Sequence, residues 1–265
     1  MNVSHGDSGS HWYLRDKDGT ATPFYEVPYA DPSKGMRKTT IKDARAAGAK
    51  PSVTTVKRIV ANEAIMRYRI EQALLSALTA PIQKGEETDD QFVQRIIDGG
   101  KEDSEAAMDK GTQIHEAIEL KLTGKEIAKE LEPYVLPVVQ LLDQEGIKII
   151  KQEFSFCNEL YGGRIDALGE KLESPPVLID WKSQKTKKGK FAFYPDWGEQ
   201  LAAYAHGIGK PEAVLANIVT SSTEPGCVDI KLWVDDYGRQ MNDDLYQTFM
   251  LQYKLWCKRN NWVNE

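Results

Sequence analysis

The run Pro176-Val-Leu-Ile-Asp180-Trp-Lys182 ends an apolar stretch in an acid and a lysine two residues apart, and the two-residue period of a strand puts both on one face. A carboxylate and an ammonium therefore project together from a strand whose composition predicts burial. Asp166, in Gly163-Arg-Ile-Asp166-Ala-Leu-Gly169, lies one strand earlier, so antiparallel pairing across Ser174-Pro175-Pro176 brings its carboxylate beside that of Asp180. Two converging carboxylates do not both stay ionised cheaply. A divalent cation removes the conflict, and hard oxygen ligands suit Mg²⁺ or Mn²⁺, which can also hold a substrate phosphate. The chemistry implied is metal-dependent phosphodiester hydrolysis, with Lys182 orienting the nucleophile or neutralising charge. On this reading alanine at either acid abolishes cleavage and, without metal, relieves repulsion.

A bare D-x-K arises about once by chance in a chain of this length, and Asp229-Ile230-Lys231 repeats the spacing in another strand-like run. No acid-bearing hairpin precedes that copy, so it reads as an exposed strand face. Around Asp180 three features add weight: Asp166 upstream, a helix carrying His115 and Glu119, and a helix carrying Gln200 and Tyr204. Each helical pair is spaced i, i+4 and shares one face, whereas Glu116 points elsewhere, to solvent. Glu153, on the strand before Asp166, is either a further acid of the site or an exposed strand acid. Lys185, Lys187, Lys188 and Lys190 follow the catalytic strand with no acid before Asp196. Such a run is commonly a solvated loop, but its place beside the site in a protein of net charge −6 favours phosphate contact. Arg164 either does likewise or pairs with a surface acid. Phe191, Phe193 and Tyr194 either stack on unpaired bases or pack the next helix onto the sheet.

The elements that must position these residues follow from periodicity. His11 to Pro28 alternates aromatic and polar residues around Asp18-Gly19, a hairpin signal. Asp31 to Pro51 is turn-rich and basic. Ser52 or Thr54 then caps a helix carrying Val56, Ile59, Val60, Ile65, Leu74, Leu75 and Leu78, ended by Pro81. A second helix (Phe92, Val93, Ile96, Ile97) stops at Gly99-Gly100, a third runs from about Asp103 through Ile114, Ile118 and Leu122 to a C-terminal Gly124, and a fourth follows at once between Lys125 and Gly146. After Gly146 come strands at Ile149 to Cys157, Gly162 to Gly169 and Val177 to Trp181, then a helix at Asp196 to Gly207. Strands at Ala213 to Thr220 and Cys227 to Val234 lead to a last helix with Leu245, Phe249, Met250, Tyr253 and Trp256 on one face. The order implies an α/β fold, a mixed sheet flanked by helices, after a helical N-terminal part and a short N-terminal β-hairpin.

The chain has 265 residues, 41% of them hydrophobic, enough for one substantial core. The expected division is an N-terminal hairpin and basic linker over 1–50, then one catalytic domain over 51–265 with a helical covering region at 52–110. Met1 to Ser10 is polar and no run of about 18 apolar residues occurs, so no membrane association and a cytoplasmic location, that of the host cell if phage-encoded, are expected. Cys157, Cys227 and Cys257 are odd in number and widely spaced, which suits free thiols better than a zinc or redox site.

Taken in order, Pro51-Ser-Val-Thr-Thr55, Gly111-Thr-Gln-Ile-His115-Glu-Ala-Ile-Glu119, Gly163-Arg-Ile-Asp166, Ile179-Asp180-Trp-Lys182 and Gln200-Leu-Ala-Ala-Tyr204 resemble the RecB-type branch of the PD-(D/E)XK nucleases. Within it they resemble phage-encoded exonucleases and the mitochondrial genome maintenance exonuclease. The likeness covers about residues 50 to 210, and the N-terminal hairpin resembles only the phage members. It implies a restriction-endonuclease-like fold, with His115, Asp166, Asp180 and the Trp181 backbone carbonyl as metal ligands and Lys182 as the catalytic lysine. Gln200 and Tyr204 would steady the DNA and the site, with Glu119 and Glu153 in support. It also implies an exonuclease on single-stranded DNA ends, in phage recombination, replication or repair, with a single-strand-binding or recombination protein as a further partner. Some RecB-type nucleases hold an iron–sulfur cluster on four cysteines; with three scattered cysteines, none is expected here. The same core could instead serve a non-catalytic DNA-binding or recombination-partner protein, or a structure-specific or sequence-specific endonuclease.

Overall fold

The computed structural model describes residues 11–17, 20–60, 63–80 and 87–263. Its centre is a five-stranded sheet of order β10-β9-β8-β7-β6. Strands β6 (Lys148–Cys157), β7 (Gly162–Glu170) and β8 (Val177–Gln184) form an antiparallel meander. Strand β9 (Val214–Ser221) joins β8 in parallel, and β10 (Val228–Leu232) closes the edge antiparallel to β9. A parallel neighbour demands a crossover, which α6 (Pro195–Gly207) supplies. On one face of the sheet, Leu201 of α6 and Phe249 and Trp256 of α7 (Asn242–Arg259) pack with Ile165, Leu178 and Leu215. On the other, Ile114 and Ile118 of α4 (Asp89–Leu122) and Val135, Val138 and Leu142 of α5 (Glu132–Glu145) cover Ala167, Ile179 and Ile218. This is a mixed sheet flanked by helices, the class expected from the element order, and consistent with a generic restriction-endonuclease-like arrangement that fixes no identity. No helix among the described residues is long and apolar enough to cross a membrane.

The N-terminal hairpin is present as β1 (Trp12–Arg15) against β2 (Ala21–Pro23); its expected turn at Asp18-Gly19 lies outside the described residues. The segment expected as a basic linker is instead structured. Strand β3 (Glu26–Pro28) pairs with β4 (Met36–Lys38), and β5 (Lys50–Pro51) adds to β1. Between them runs α1 (Ile41–Ala47), opened by a capping box in which Thr40 accepts from Asp43 N and the Asp43 carboxylate accepts from Thr40 N. Trp12, Ala44, Ala49 and Val53 belong to the same apolar cluster as Leu201, Phe249 and Trp256, so one core spans position 50.

Three helix boundaries differ from expectation. The first long helix is two: α2 (Val53–Lys57), capped by Ser52 accepting from Thr55 N at 3.0 Å, and α3 (Glu63–Thr79). Their apolar residues face different surroundings, since Val56 is buried while Ile70, Leu74 and Leu78 are exposed. Pro81, the expected terminator, lies outside the described residues. Gly99-Gly100 does not stop a helix, because α4 runs through it. A Cβ at Gly99 would stand 2.6 Å from Ser76 Oγ and one at Gly100 3.1 Å from Ala73 N, so the glycines allow α3 and α4 to pack closely. Finally, α5 begins at Glu132, with Pro133 in its first turn, rather than at Lys125.

Candidate metal centre

Three elements bring a histidine and two acids together. Gly111 lets α4 press against the end of β8, where a Cβ would fall 2.6 Å from Ser183 Oγ. One turn later His115 Nε2 reaches to 3.3 Å from Asp166 Oδ2 on β7 and 3.9 Å from Glu153 Oε1 on β6, while its Nδ1 lies 3.7 Å from Glu119 Oε1. His115, Glu153 and Asp166 each offer one ligand atom, all within 4.8 Å of one another. This largely buried cluster is able to chelate a metal ion. Glu119 Oε1 and Glu153 Oε1 are buried with no hydrogen-bond donor among the described residues, so the site holds more acceptor capacity than the chain satisfies, as a cation site does.

The backbone is shaped around this cluster. Glu153 adopts φ 48, left-handed for a residue that is not glycine, between the regular pairs Gln152↔Ala167 and Phe154↔Ile165. Such a conformation costs about 1 to 3 kcal/mol and persists where the surroundings impose it, often at functional sites. Opposite, the β7–β8 ladder runs only from Gly169↔Val177 to Ala167↔Ile179. Beyond it the Trp181 N–H donates to Asp166 Oδ2 at 2.9 Å, so the carboxylate takes a place the strand ladder would have filled.

Electrostatics follow from burial and crowding. Burial disfavours a charged imidazole, but the Asp166, Glu119 and Glu153 carboxylates outweigh it and raise His115 to about 9. Burial, with Asp166 and Glu119 beside it, pushes the Glu153 carboxyl up to about 8 against the pull of Arg164. Burial also favours neutral Asp166, yet His115, Lys182 and the Trp181 N–H together hold it below the usual carboxylate range. Two nearby carboxyls are thus driven to opposite sides of the usual carboxylate range, by burial and like charge in one case and by cationic and N–H neighbours in the other.

Asp180 and Lys182 do share one strand face. Lys182 Nζ donates to Asp180 Oδ1 at 2.8 Å, and although burial opposes its charge, Asp180 and Asp166 raise its ammonium above the usual lysine range. Asp180 is buried and accepts two further bonds, from Gln200 Nε2 at 3.0 Å and Asn217 Nδ2 at 2.6 Å. Gln200 also donates to Tyr204 Oη at 3.1 Å. The Tyr204 ring fits against Gly163, where a Cβ would lie 2.6 Å from Cε1. The expected helix pair therefore meets the expected acid. The three-residue cluster itself contains Glu153, expected only in support, and not Asp180. Trp181 buries its side chain among the residues under α4 and α5.

Arg164 turns inward to form an ion pair with Glu153. Lys185, Lys187, Lys188 and Lys190 are exposed on the connection from β8 to α6. Phe193 and Tyr194 pack edge-on against Trp197, at 6.3 and 5.2 Å between ring centroids, and Phe191 is partly buried. Asp229 is exposed on the edge strand β10, as expected for the isolated D-x-K copy, and Glu116 is exposed on α4. The free cysteines sit apart, at the end of β6, before β10 and on α7.

Sequence reasoning missed Asn217, fully buried on β9, which also accepts from Trp233 Nε1 at 2.7 Å. A lone amide in the apolar run Val214-Leu-Ala-Asn217-Ile-Val was the available signal. It missed Lys57 as well, whose largely buried ammonium donates to the Asp196 carbonyl and lies 3.7 Å from Asp196 Oδ2. Burial lowers its affinity for the proton despite Asp196 and Glu199.

No family model matches the chain, and no curated protein matches it. Among solved structures it is similar to the one described as "Crystal structure of SSO0001", at 11% identity over 72% of this chain and 86% of that chain, with a TM-score of 0.32. A likeness at that level carries no argument about activity.

Proposed function

We propose that this chain is a divalent-metal-dependent deoxyribonuclease of the RecB-type PD-(D/E)XK kind, an exonuclease acting on single-stranded DNA ends, in phage recombination, replication or repair. The observation that supports it is the convergence of His115, Glu153 and Asp166 from three elements, beside a strand whose Asp180 and Lys182 are hydrogen-bonded on one face. These three would hold Mg²⁺ or Mn²⁺, joined, on the resemblance, by Asp180 and the Trp181 carbonyl. Such an ion, when bound, supplies Lewis acidity toward water and a phosphate oxygen. Lys182 keeps its proton in this acidic setting and offers positive charge to a phosphate gaining negative charge in the transition state. Gln200 and Asn217 fix the Asp180 carboxylate by two hydrogen bonds. No covalent intermediate on the protein is required.

One observation favours a second reading, a non-catalytic DNA-binding protein: Lys182, Gln200 and Asn217 already occupy the Asp180 carboxylate. Incubation with end-labelled linear and circularised single-stranded DNA, plus Mg²⁺ or Mn²⁺, separates the two. The nuclease degrades the linear strand, spares the circle and is inactive as Asp166→Ala. Intact DNA throughout supports the binding protein, and a cut circle shows an endonuclease.

A further inference from the structure

The connection from β8 to α6 is closed in several independent ways. Gln184 Nε2 donates to the Ala192 carbonyl at 2.6 Å, and Ala192 N donates to Gln184 Oε1 at 3.1 Å. Farther out, Lys187 and Lys190 form an antiparallel bridge, and Lys188 (φ 58) and Gly189 (φ 63) make the turn as two successive left-handed residues. That conformation costs a lysine about 1 to 2 kcal/mol, which the surroundings must offset. Beneath the turn lies Glu224, from the β9–β10 connection, whose carboxylate accepts from Lys188 N at 2.9 Å, Gly189 N at 3.0 Å and Thr186 Oγ1 at 2.6 Å. Glu224 is itself fixed, its N–H donating to Ser221 Oγ at 2.8 Å. Thr223 Oγ1 accepts from Thr186 N at 3.0 Å and donates to Thr186 O at 3.1 Å, joining the two connections.

This network packs no lysine side chain away. Lys185, Lys187, Lys188 and Lys190 are all exposed, and among the described residues none is in an ion pair. Three ammonium groups, those of Lys187, Lys188 and Lys190, therefore face solvent on an ordered turn a few residues beyond Lys182, with that of Lys185 on the segment leading to it. A carboxylate in the midst of them weakens the local positive potential. What it contributes through its three accepted hydrogen bonds is conformational, and a turn ordered before a ligand arrives loses less entropy on binding one.

We propose that Glu224 is a positioning residue that latches this lysine turn into a fixed, solvent-facing grip for the phosphate backbone of single-stranded DNA leading to the metal centre. The proposal rests on the nuclease reading above. Charge alone and the latch predict opposite signs. Removing a carboxylate from a basic patch strengthens anion binding by charge, whereas loss of the latch weakens it.

The test measures anisotropy of a 5′-fluorescein 20-nucleotide single strand, without divalent metal, across a series of salt concentrations. Glu224→Ala should weaken binding about tenfold and flatten the log Kd against log salt slope by about 1 to 2, as loss of phosphate contacts does. Glu224→Gln, which keeps an acceptor oxygen without the charge, should lose less. In a background with Lys187, Lys188 and Lys190 changed to Ala, Glu224→Ala should add less than about twofold, since its effect passes through those lysines. In turnover KM should rise with kcat nearly unchanged. Unchanged or tighter binding by both Glu224 variants, or an undiminished effect without the lysines, overturns the latch while leaving the nuclease in place. A wild-type protein that neither binds nor cuts the strand removes both.

Discussion

Asp180→Ala should destabilise the metal-free protein, reversing the expectation that losing one of two neighbouring acids relieves repulsion. Asp180 is 2% exposed and accepts from Lys182 Nζ, Gln200 Nε2 and Asn217 Nδ2. Removing one partner of a buried ion pair costs about 3 to 5 kcal/mol. The Lys182 side chain is 25% exposed and can turn partly to water, which points to the lower end of that range. Asn217, fully buried, is left with a weakened hydrogen bond, worth about 1 kcal/mol or more. The total is about 3 to 5 kcal/mol, a fall in melting temperature of roughly 10 °C for a chain of this size. Urea denaturation in EDTA reads it, with Lys182→Ala and the double variant completing a cycle. The double variant should lose about 1 to 2 kcal/mol less than the sum of the singles, because both remove the same pair. Stability of Asp180→Ala within about 0.5 kcal/mol of wild type, the scatter of surface substitutions, would refute the buried pair. Asp180→Asn is no silent control either, since its amide would point a donor at Gln200 or Asn217.

Lys182→Ala should keep Mn²⁺ affinity while lowering turnover by about 100-fold or more, as loss of a transition-state contact does; wild-type turnover would remove Lys182 from the chemistry. Metal affinity should rise with pH through neutrality: burial and crowding raise the Glu153 carboxyl, and the neighbouring carboxylates raise His115, so the cluster shares a proton that a cation must displace. Calorimetry in buffers of different ionisation enthalpy should show proton release at pH 7, and affinity flat from pH 6 to 9 would contradict those protonation states. Gly163→Ala should cost about 1 to 3 kcal/mol and disturb the Tyr204–Gln200–Asp180 chain, because its Cβ would sit 2.6 Å from Tyr204 Cε1 and 2.9 Å from Phe156 Cε1; an unchanged melting curve would show that both rings can yield.

What was legible in the sequence was what rests on short-range periodicity. Strands β6 to β10 and helices α6 and α7 follow from two-residue and helical spacing, and the Asp180–Lys182 pairing follows from strand alternation alone. Asp166 was found because a hairpin places successive strands side by side. What stayed hidden depends on tertiary contact. Gly99-Gly100 signals a helix stop as readily as close packing, and only the meeting with Ala73 and Ser76 decides between them. Glu153 stood open between a site acid and an exposed strand acid, because nothing in Lys151-Gln-Glu153-Phe announces the left-handed backbone it adopts where it joins His115 and Asp166. Glu224 acts across 36 residues, joining two loops that share no local pattern.

Titrating Mn²⁺ into the metal-free protein by calorimetry at pH 8 addresses the metal centre most directly. Wild type should show saturable binding with proton release, and Asp166→Ala and His115→Ala should each weaken it by about 100-fold or more, since each removes a ligand and not merely a residue behind one. Wild-type Mn²⁺ affinity in both variants, or no binding by the wild-type protein, would contradict a metal site built on His115, Glu153 and Asp166.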